Sequence, residues 1–256
     1  MTPRPAGRAA HLEPPRSDRV RHPRRLLLHS LRPAARAVAR RRFGVRQHGA
    51  DQVPARGPVI LAANHIGVMD GPLLAVFSPR PVHALTKIEM FTGRTGLLMR
   101  GSGQIPLHRF DPDPFAVRMS LRVLRDGGAV GIFPEGTRGA GDLARFHRGA
   151  AYLALVSGAP VVPVTMLGTR APGAHTDSLP PRDEDVEIVY AAPYRFDPVP
   201  WPRTREHVEQ SSLLLREYML ARLDEAMAQT GRALPGPLPP GQTEDDPDTD
   251  VVEGAP

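Results

Sequence analysis

His65 and Asp70 stand five residues apart in the stretch VILAANHIGVMDGPLL, directly after an apolar run. Such a pair suits proton handling. An imidazole that titrates near neutrality takes the proton of an attacking hydroxyl, and a carboxylate on its other nitrogen fixes the tautomer and stabilises the imidazolium. Spacing alone does not single the pair out. The same His-x4-Asp pattern recurs at His108 and Asp113, where Pro112 and Pro114 suggest a loop. With ten histidines and sixteen aspartates in 256 residues, chance supplies roughly 0.6 such pairs.

A second candidate cluster lies in GIFPEGTRG, residues 131–139, where a strand-like run ends in Pro134 and the turn carries Glu135, Gly136, Thr137 and Arg138. Glycine permits close backbone approach there, and arginine offers a planar fork to an oxyanion or phosphate. Taken alone, EGTR is a strand-end turn with a surface Glu–Arg pair. The chain has no cysteine, which excludes disulfides, thiolate catalysis and cysteine zinc sites, and it has no Gly-x-Ser-x-Gly elbow. Arginine outnumbers lysine 32 to 1, and there is a single asparagine. Both singletons, Asn64 and Lys87, fall close to His65. Asn64 reads as fixing the turn through backbone bonds. His108, His147 and His175 show no partner pattern, and Arg148 in FHRGAA adds a charge at a helix start.

The segments NHIGVMD, KIEMFTGRTGLLMRGSGQIPLHR, FPEGTR and VVPV occur in that order. Together they resemble the signature blocks of the 1-acylglycerol-3-phosphate acyltransferases, the PlsC-like family, over roughly residues 45–200. The resemblance implies a PlsC-like α/β fold, with His65 as general base and Asp70 as its orienting carboxylate. It implies acceptor contacts at Arg109 and at Glu135, Gly136, Thr137 and Arg138, and a structural role for Pro163. The implied reaction moves a fatty acyl group from an acyl thioester, on coenzyme A or acyl carrier protein, to the sn-2 hydroxyl of lysophosphatidic acid. No metal and no cofactor beyond that donor is implied. A thioester is already activated, so the difficulty left to the protein is the poor nucleophilicity of an alcohol, which a histidine base relieves. The tetrahedral oxyanion then needs donors, and Lys87 is the candidate cation for it.

The elements that must position these residues are legible in outline. Strand signals cover 58–63, 81–86, 104–108, 129–133, 160–166 and 185–191. They alternate with helix signals at 145–157 and 203–230 and with a helix starting at Asp113-Pro114, where the aspartate caps and Gly127-Gly128 ends the run. This order predicts one α/β domain, residues 44–232, with a mixed, largely parallel sheet flanked by helices. Residues 149–169 carry no charge, but Gly158, Pro160 and Pro163 divide them into a core helix and a buried strand rather than a bilayer span.

The ends differ from the body. Residues 1–50 hold thirteen arginines against Glu13 and Asp18, while 235–256 hold six acids and no base. Residues 1–23 are expected to form a disordered basic arm, and 233–256 a disordered acidic, Pro-rich tail. Between them, 24–43 reads as a basic amphipathic helix divided at Pro33, suited to an anionic membrane surface or to docking on its own domain. Arg32 and Arg36 interrupt the apolar stretch that an export signal needs, so the expected location is cytoplasmic, on the inner face of the cell membrane. Three other readings compete: the same transfer to another lysolipid or glycolipid, an arginine-rich nucleic-acid binder, and an inactive membrane-surface protein. The near-neutral body counts against nucleic acid, and the intact His-Asp and Glu-Arg pairs count against an inactive protein.

Overall fold

Val59–Ala63 is a run of five apolar residues, every one of them buried. A strand apolar on both faces belongs in the middle of a parallel sheet covered by helices. That is its place in the computed structural model, which describes residues 15–182, 184–197, 201, 203–242 and 251–252. The strands are β1 (Gly44–His48), β2 (Val59–Ala63), β3 (Val82–Lys87), β4 (Ile105–Leu107), β5 (Ala129–Ile132), β6 (Val161–Leu167) and β7 (Asp185–Tyr190). They form one sheet in the order β1-β7-β6-β2-β5-β3-β4. Every neighbouring pair is parallel except β6 with β7. The expected mixed, largely parallel sheet is what the chain forms. The strand β1, and its parallel pairing with β7, had no counterpart in the sequence reading.

The helices are α1 (Leu26–Ser30), α2 (Arg32–Arg42), α3 (Asp70–Phe77), α4 (Gly93–Gly101), α5 (Pro114–Arg125), α6 (Gly149–Ser157) and α7 (Arg205–Thr230). Side chains of β2 alternate between two cores, as the two-residue period of a strand requires. Ile60 and Ala62 pack with Leu121 and Leu124 of α5, with α6, and with Leu215 and Met219 of α7. Val59, Leu61 and Ala63 pack with Leu73, Leu74 and Phe77 of α3. Pro163 lies within β6 without breaking the sheet. Its carbonyl accepts from Ala191, and its nitrogen falls where β7 has left the ladder after the Val164–Tyr190 pair.

Asp113 caps α5 as the sequence suggests, its Oδ1 accepting from Phe115 and Ala116 at 2.9 Å each, while its Oδ2 takes the His108 amide. The second His-x4-Asp pattern is therefore a helix cap. Residues 24–43 divide into α1 and α2, with Pro33 in the first turn of α2. Within α2, Arg32 and Arg36 reach the last carbonyls of α3: Arg32 donates to Ser78, and Arg36 donates to Val76 at 2.7 Å and to Ser78 at 2.9 Å. Gln47 adds a bond to Phe77.

Both ends depart from the expectation of disorder where they are described. Residues 15–23 lie against the body: His22 meets the His83 ring edge-on, Arg122 donates to Val20, and Ser17 is buried. The segment after α7 returns to the domain, Gly236 accepting from Arg170 and Val252 entering the core as its amide bonds Phe146. A few apolar or hydrogen-bonding residues, diluted among prolines and charges, suffice to anchor each segment. Residues 1–14, 243–250 and 253–256 of the predicted arm and tail lie outside the described residues.

Candidate active site

Parallel strands end on the same edge of a sheet, and open α/β sheets carry their sites beyond those carboxyl ends. His65 follows β2, Lys87 closes β3, Arg109 follows β4, Glu135 to Arg138 follow β5, and Thr169 follows β6. The topology thus brings the dispersed candidates to one edge.

Asn64 shapes the turn that presents His65. Its Oδ1 accepts from Met166 N at 2.7 Å, and its Nδ2 donates to Met166 O and more weakly to Gly141 O. The side chain thereby extends the β2–β6 ladder by one step, and its expected backbone role holds. His65 Nδ1 lies 2.8 Å from Asp70 Oδ2. Asp70 is fully buried at the first turn of α3, where the helix dipole favours a negative charge, and its Oδ2 also accepts the amides of Ile66 and Gly67 at 2.7 and 2.8 Å. With Nδ1 donating to Asp70, Nε2 is the basic atom of the ring. The His65 ring stacks on Phe133 at 4.2 Å and keeps 19% of its side chain exposed. This is the arrangement that a base needs: one nitrogen anchored to a carboxylate, and an edge open to substrate.

Glu135 is placed differently from expectation. Its carboxyl is buried and accepts the His65 amide at 2.8 Å and that of Leu143, so in this structure it holds the backbone of the loop that carries His65. Burial pushes it up to about 8, with the nearby charges of Asp142 and Asp70 adding to the effect. Leu143, buried with φ at 55°, is a non-glycine residue in the left-handed region, a strained conformation of the kind that gathers at functional sites. Gly136 takes φ 74° at the turn and accepts from Arg109 at 3.4 Å, with Thr137 half-buried beside it. Arg138 pairs with Asp177 at 2.5 Å and donates to Thr176 O. Its carboxylate partner is thus Asp177, not Glu135.

Lys87, Arg109 and Arg138 form a cationic group. Burial pushes the Lys87 ammonium below its usual value, and the charges of Arg138 and Arg109 push it further down. A site of this sign attracts an anion. Arg148 does not join it, because it is buried and faces Glu209 of α7 at 3.6 Å. His147 bonds Pro134 through its backbone, His175 lies exposed beside Asp177, and His108 serves the α5 cap.

Two residues escaped the sequence reading. Thr169 donates its hydroxyl to Asp70 Oδ1, and the buried Arg170 donates to the carbonyls of Ile66 and Gly139. A signal for them exists: Gly-Thr-Arg occurs at 136–138 and again at 168–170, and Arg170 closes the longest uncharged stretch around β6. Among the described residues, no cluster of His, Asp or Glu could hold a metal ion.

A family model described as Acyltransferase matches residues 44–167. The 1-acyl-sn-glycerol-3-phosphate acyltransferase of Bacillus subtilis (strain 168) is 31% identical over 137 residues, 53% of this chain and 68% of that protein. The 1-acyl-sn-glycerol-3-phosphate acyltransferase beta of Homo sapiens is 34% identical over 112 residues, 42% of this chain and 40% of that protein. Among solved structures, the 1-acyl-sn-glycerophosphate (LPA) acyltransferase PlsC from Thermotoga maritima superposes with a TM-score of 0.58 at 20% identity, over 80% of each chain. At that identity the superposition speaks for the fold.

The buried Glu135 carries a prediction. A carboxyl at 4.5 in the unfolded chain and about 8 in the folded one binds its proton more tightly when folded. Its contribution to stability is whole below 4.5 and is lost as pH rises toward 8. Gln cannot ionise and still offers an oxygen to the His65 amide. The melting temperature of Glu135→Gln minus that of wild type should therefore grow between pH 5 and 8 and level off above. A difference that stays flat with pH would show that Glu135 does not titrate in this range.

Proposed function

This chain belongs to the 1-acyl-sn-glycerol-3-phosphate acyltransferase family, and on that footing we propose that it acylates the sn-2 hydroxyl of lysophosphatidic acid to give phosphatidic acid. The observation that carries the reading is the His65–Asp70 bond, made by a wholly buried carboxylate at the edge where the parallel strands end. His65 Nε2 takes the hydroxyl proton as the acceptor oxygen attacks the thioester carbonyl. Asp70 holds Nδ1–H and balances the imidazolium. The carbonyl π electrons move to oxygen, where Lys87 stabilises the charge. As they return, the carbon–sulfur bond breaks, and the thiolate leaves with the proton from His65. The carrier of the acyl group is coenzyme A or acyl carrier protein, and parallel assays with both thioesters distinguish them.

Arg109 and Arg138 receive the acceptor's phosphate. A phosphate monoester carries up to two charges and three exposed oxygens, which suits two guanidinium groups better than a phosphodiester does. Asp177 holds Arg138 in the structure, so the incoming anion has to outcompete a carboxylate. This favours the more highly charged headgroup over other lysolipids.

The membrane supplies the substrate, and α1 and α2 are suited to meet it. Leu26 and Val38 are 76% and 66% exposed, and Leu97 on α4 is 70% exposed. Leu27 of α1 packs on Gly101 of α4, so the helices that carry Leu26 and Leu97 are neighbours. Arg40, Arg41 and Arg42 end α2. Exposed apolar side chains with arginines among them fit an anionic bilayer surface. Among the described residues, no helix is long and apolar enough to cross a membrane.

Three outcomes test this reading. His65→Ala should lower turnover by about 10²–10⁴-fold while the protein stays folded, with His108→Ala close to wild type. Normal turnover by His65→Ala would end the base assignment. In competition assays, wild type should prefer lysophosphatidic acid to lysophosphatidylcholine in kcat/KM. Arg138→Ala should erase much of that preference, since a charge-assisted bond contributes roughly tenfold or more, and Arg138→Lys should restore part of it. A ratio unchanged in Arg138→Ala would remove this residue from the phosphate site. Finally, Leu26→Asp with Val38→Asp should weaken cosedimentation with phosphatidylglycerol vesicles while sparing turnover of a dispersed short-chain acceptor. Equal binding of wild type to neutral and anionic vesicles would count against the membrane reading.

A further inference from the structure

Asp70 has two oxygens, and they are fixed by different parts of the chain. Oδ2 serves the turn after β2, accepting from His65, Ile66 and Gly67. Oδ1 accepts the hydroxyl of Thr169, a fully buried residue two places beyond the end of β6. Gly67 lets these two segments touch, because a Cβ there would lie 2.8 Å from the Thr169 carbonyl oxygen. The three donors hold one corner of the carboxylate, and rotation about its Cβ–Cγ bond would carry Oδ2 away from the His65 ring. The Thr169 hydroxyl holds the other corner and opposes that rotation.

Arg170 works on the backbone of the same two loops. Its Nε donates to Ile66 O at 2.8 Å, within the His65 turn, and its Nη2 to Gly139 O at 3.0 Å, at the end of the Glu135–Arg138 turn. The same Nη2 donates to Gly236 O at 2.8 Å and Nη1 to Ala174 O at 3.2 Å. Gly139 N in turn donates to His65 O at 2.8 Å. Arg170, only 2% exposed, spends its donors on four separate carbonyls and so joins the His65 turn, the second candidate loop and the segment after α7.

We propose that Thr169 and Arg170 are positioning residues of the transfer reaction, Thr169 locking the plane of the Asp70 carboxylate and Arg170 clamping together the two loops that carry the site. The inference rests on the acyl-transfer reading of His65 and Asp70. Both residues lie just beyond the stretch matched by the family model. Neither contacts the proposed reacting atoms. They act through geometry, to which rates are sensitive, since a misplacement of about 1 Å can cost on the order of 10²-fold.

The test centres on Thr169, because replacing a buried arginine risks the fold. Thr169→Val keeps the shape and removes the hydroxyl, and Thr169→Ser keeps the hydroxyl. Thr169→Val should lower kcat roughly tenfold with KM for both substrates held within about twofold, and Thr169→Ser should recover most of it. A second readout needs no substrate. His65 is faced by Asp70 from α3, by Glu135 from the β5 loop and, across Asp70, by Arg170 from the β6 loop. A carboxylate that loses a donor concentrates its charge on the donors that remain, so proton NMR of histidine-labelled protein should show the His65 Nδ1–H resonance moved downfield in Thr169→Val and returned in Thr169→Ser. Wild-type kcat in Thr169→Val, a loss shared equally by Thr169→Ser, or an unmoved His65 Nδ1–H resonance would each overturn the proposal. Should wild type transfer no acyl group, the functional reading falls, while that resonance still decides whether Thr169 governs the dyad.

Discussion

Burying a carboxylate without water obliges the chain to surround it with donors, since an uncompensated charge in the interior is among the costliest features a fold can hold. Asp70 imposes that demand at the first residue of α3, and the local architecture is the answer to it. The turn after β2 aims two successive amides at one oxygen, the ring of His65 supplies a third donor, and β6 delivers a hydroxyl to the other oxygen. Because the donors come from two places in the chain and the acceptor from a third, β2, α3 and β6 have to meet at one register. The β2–β6 pairing and the Asn64 bridge set that register.

A second carboxyl, Glu135, holds the same histidine, bonded to its backbone instead of its ring. Two carboxylates this close would repel, and the second is driven toward its neutral form by burial and by the charges of Asp142 and Asp70. The consequence is a division of labour: Asp70 orients the ring, and Glu135 ties the β5 loop to the turn that carries the ring. The cations Lys87, Arg109 and Arg138 gather where β3, β4 and β5 end.

What the sequence disclosed followed from local rules. Apolar runs between Gly and Pro located six of the seven strands, and Asp113-Pro114 announced α5 through the chemistry of its own first turn. Motif order favoured His65 and Asp70 over His108 and Asp113, and the structure spends Asp113 on that cap. What stayed hidden depends on distant partners. Thr169 reaches Asp70 across 99 residues and Arg170 reaches Ile66 across 104, and no period or turn signal encodes such a pairing. β1 hid for another reason: GVRQH has one apolar side chain, and its half-exposed place at the sheet edge demands no more. The inward orientation of Glu135 was equally illegible, because a Glu beside Gly-Thr-Arg reads as a surface acid until the fold folds it under. The segment after α7 was misread by composition, since two valines and the Gly236 carbonyl anchor it amid acids and prolines.

The docking of α2 on α3 has a mechanical side. α3 is eight residues long, a rod of about 12 Å. Arg32 and Arg36 of α2 grip the carbonyls at one end, and Asp70 forms the other. A short helix with both ends clamped behaves as a strut: it bends little, so a force on one end arrives at the other. α2 and the Asp70 carboxylate are therefore joined through one stiff element. A load applied to α2 would be borne, one strut away, by the hydrogen bonds around Asp70.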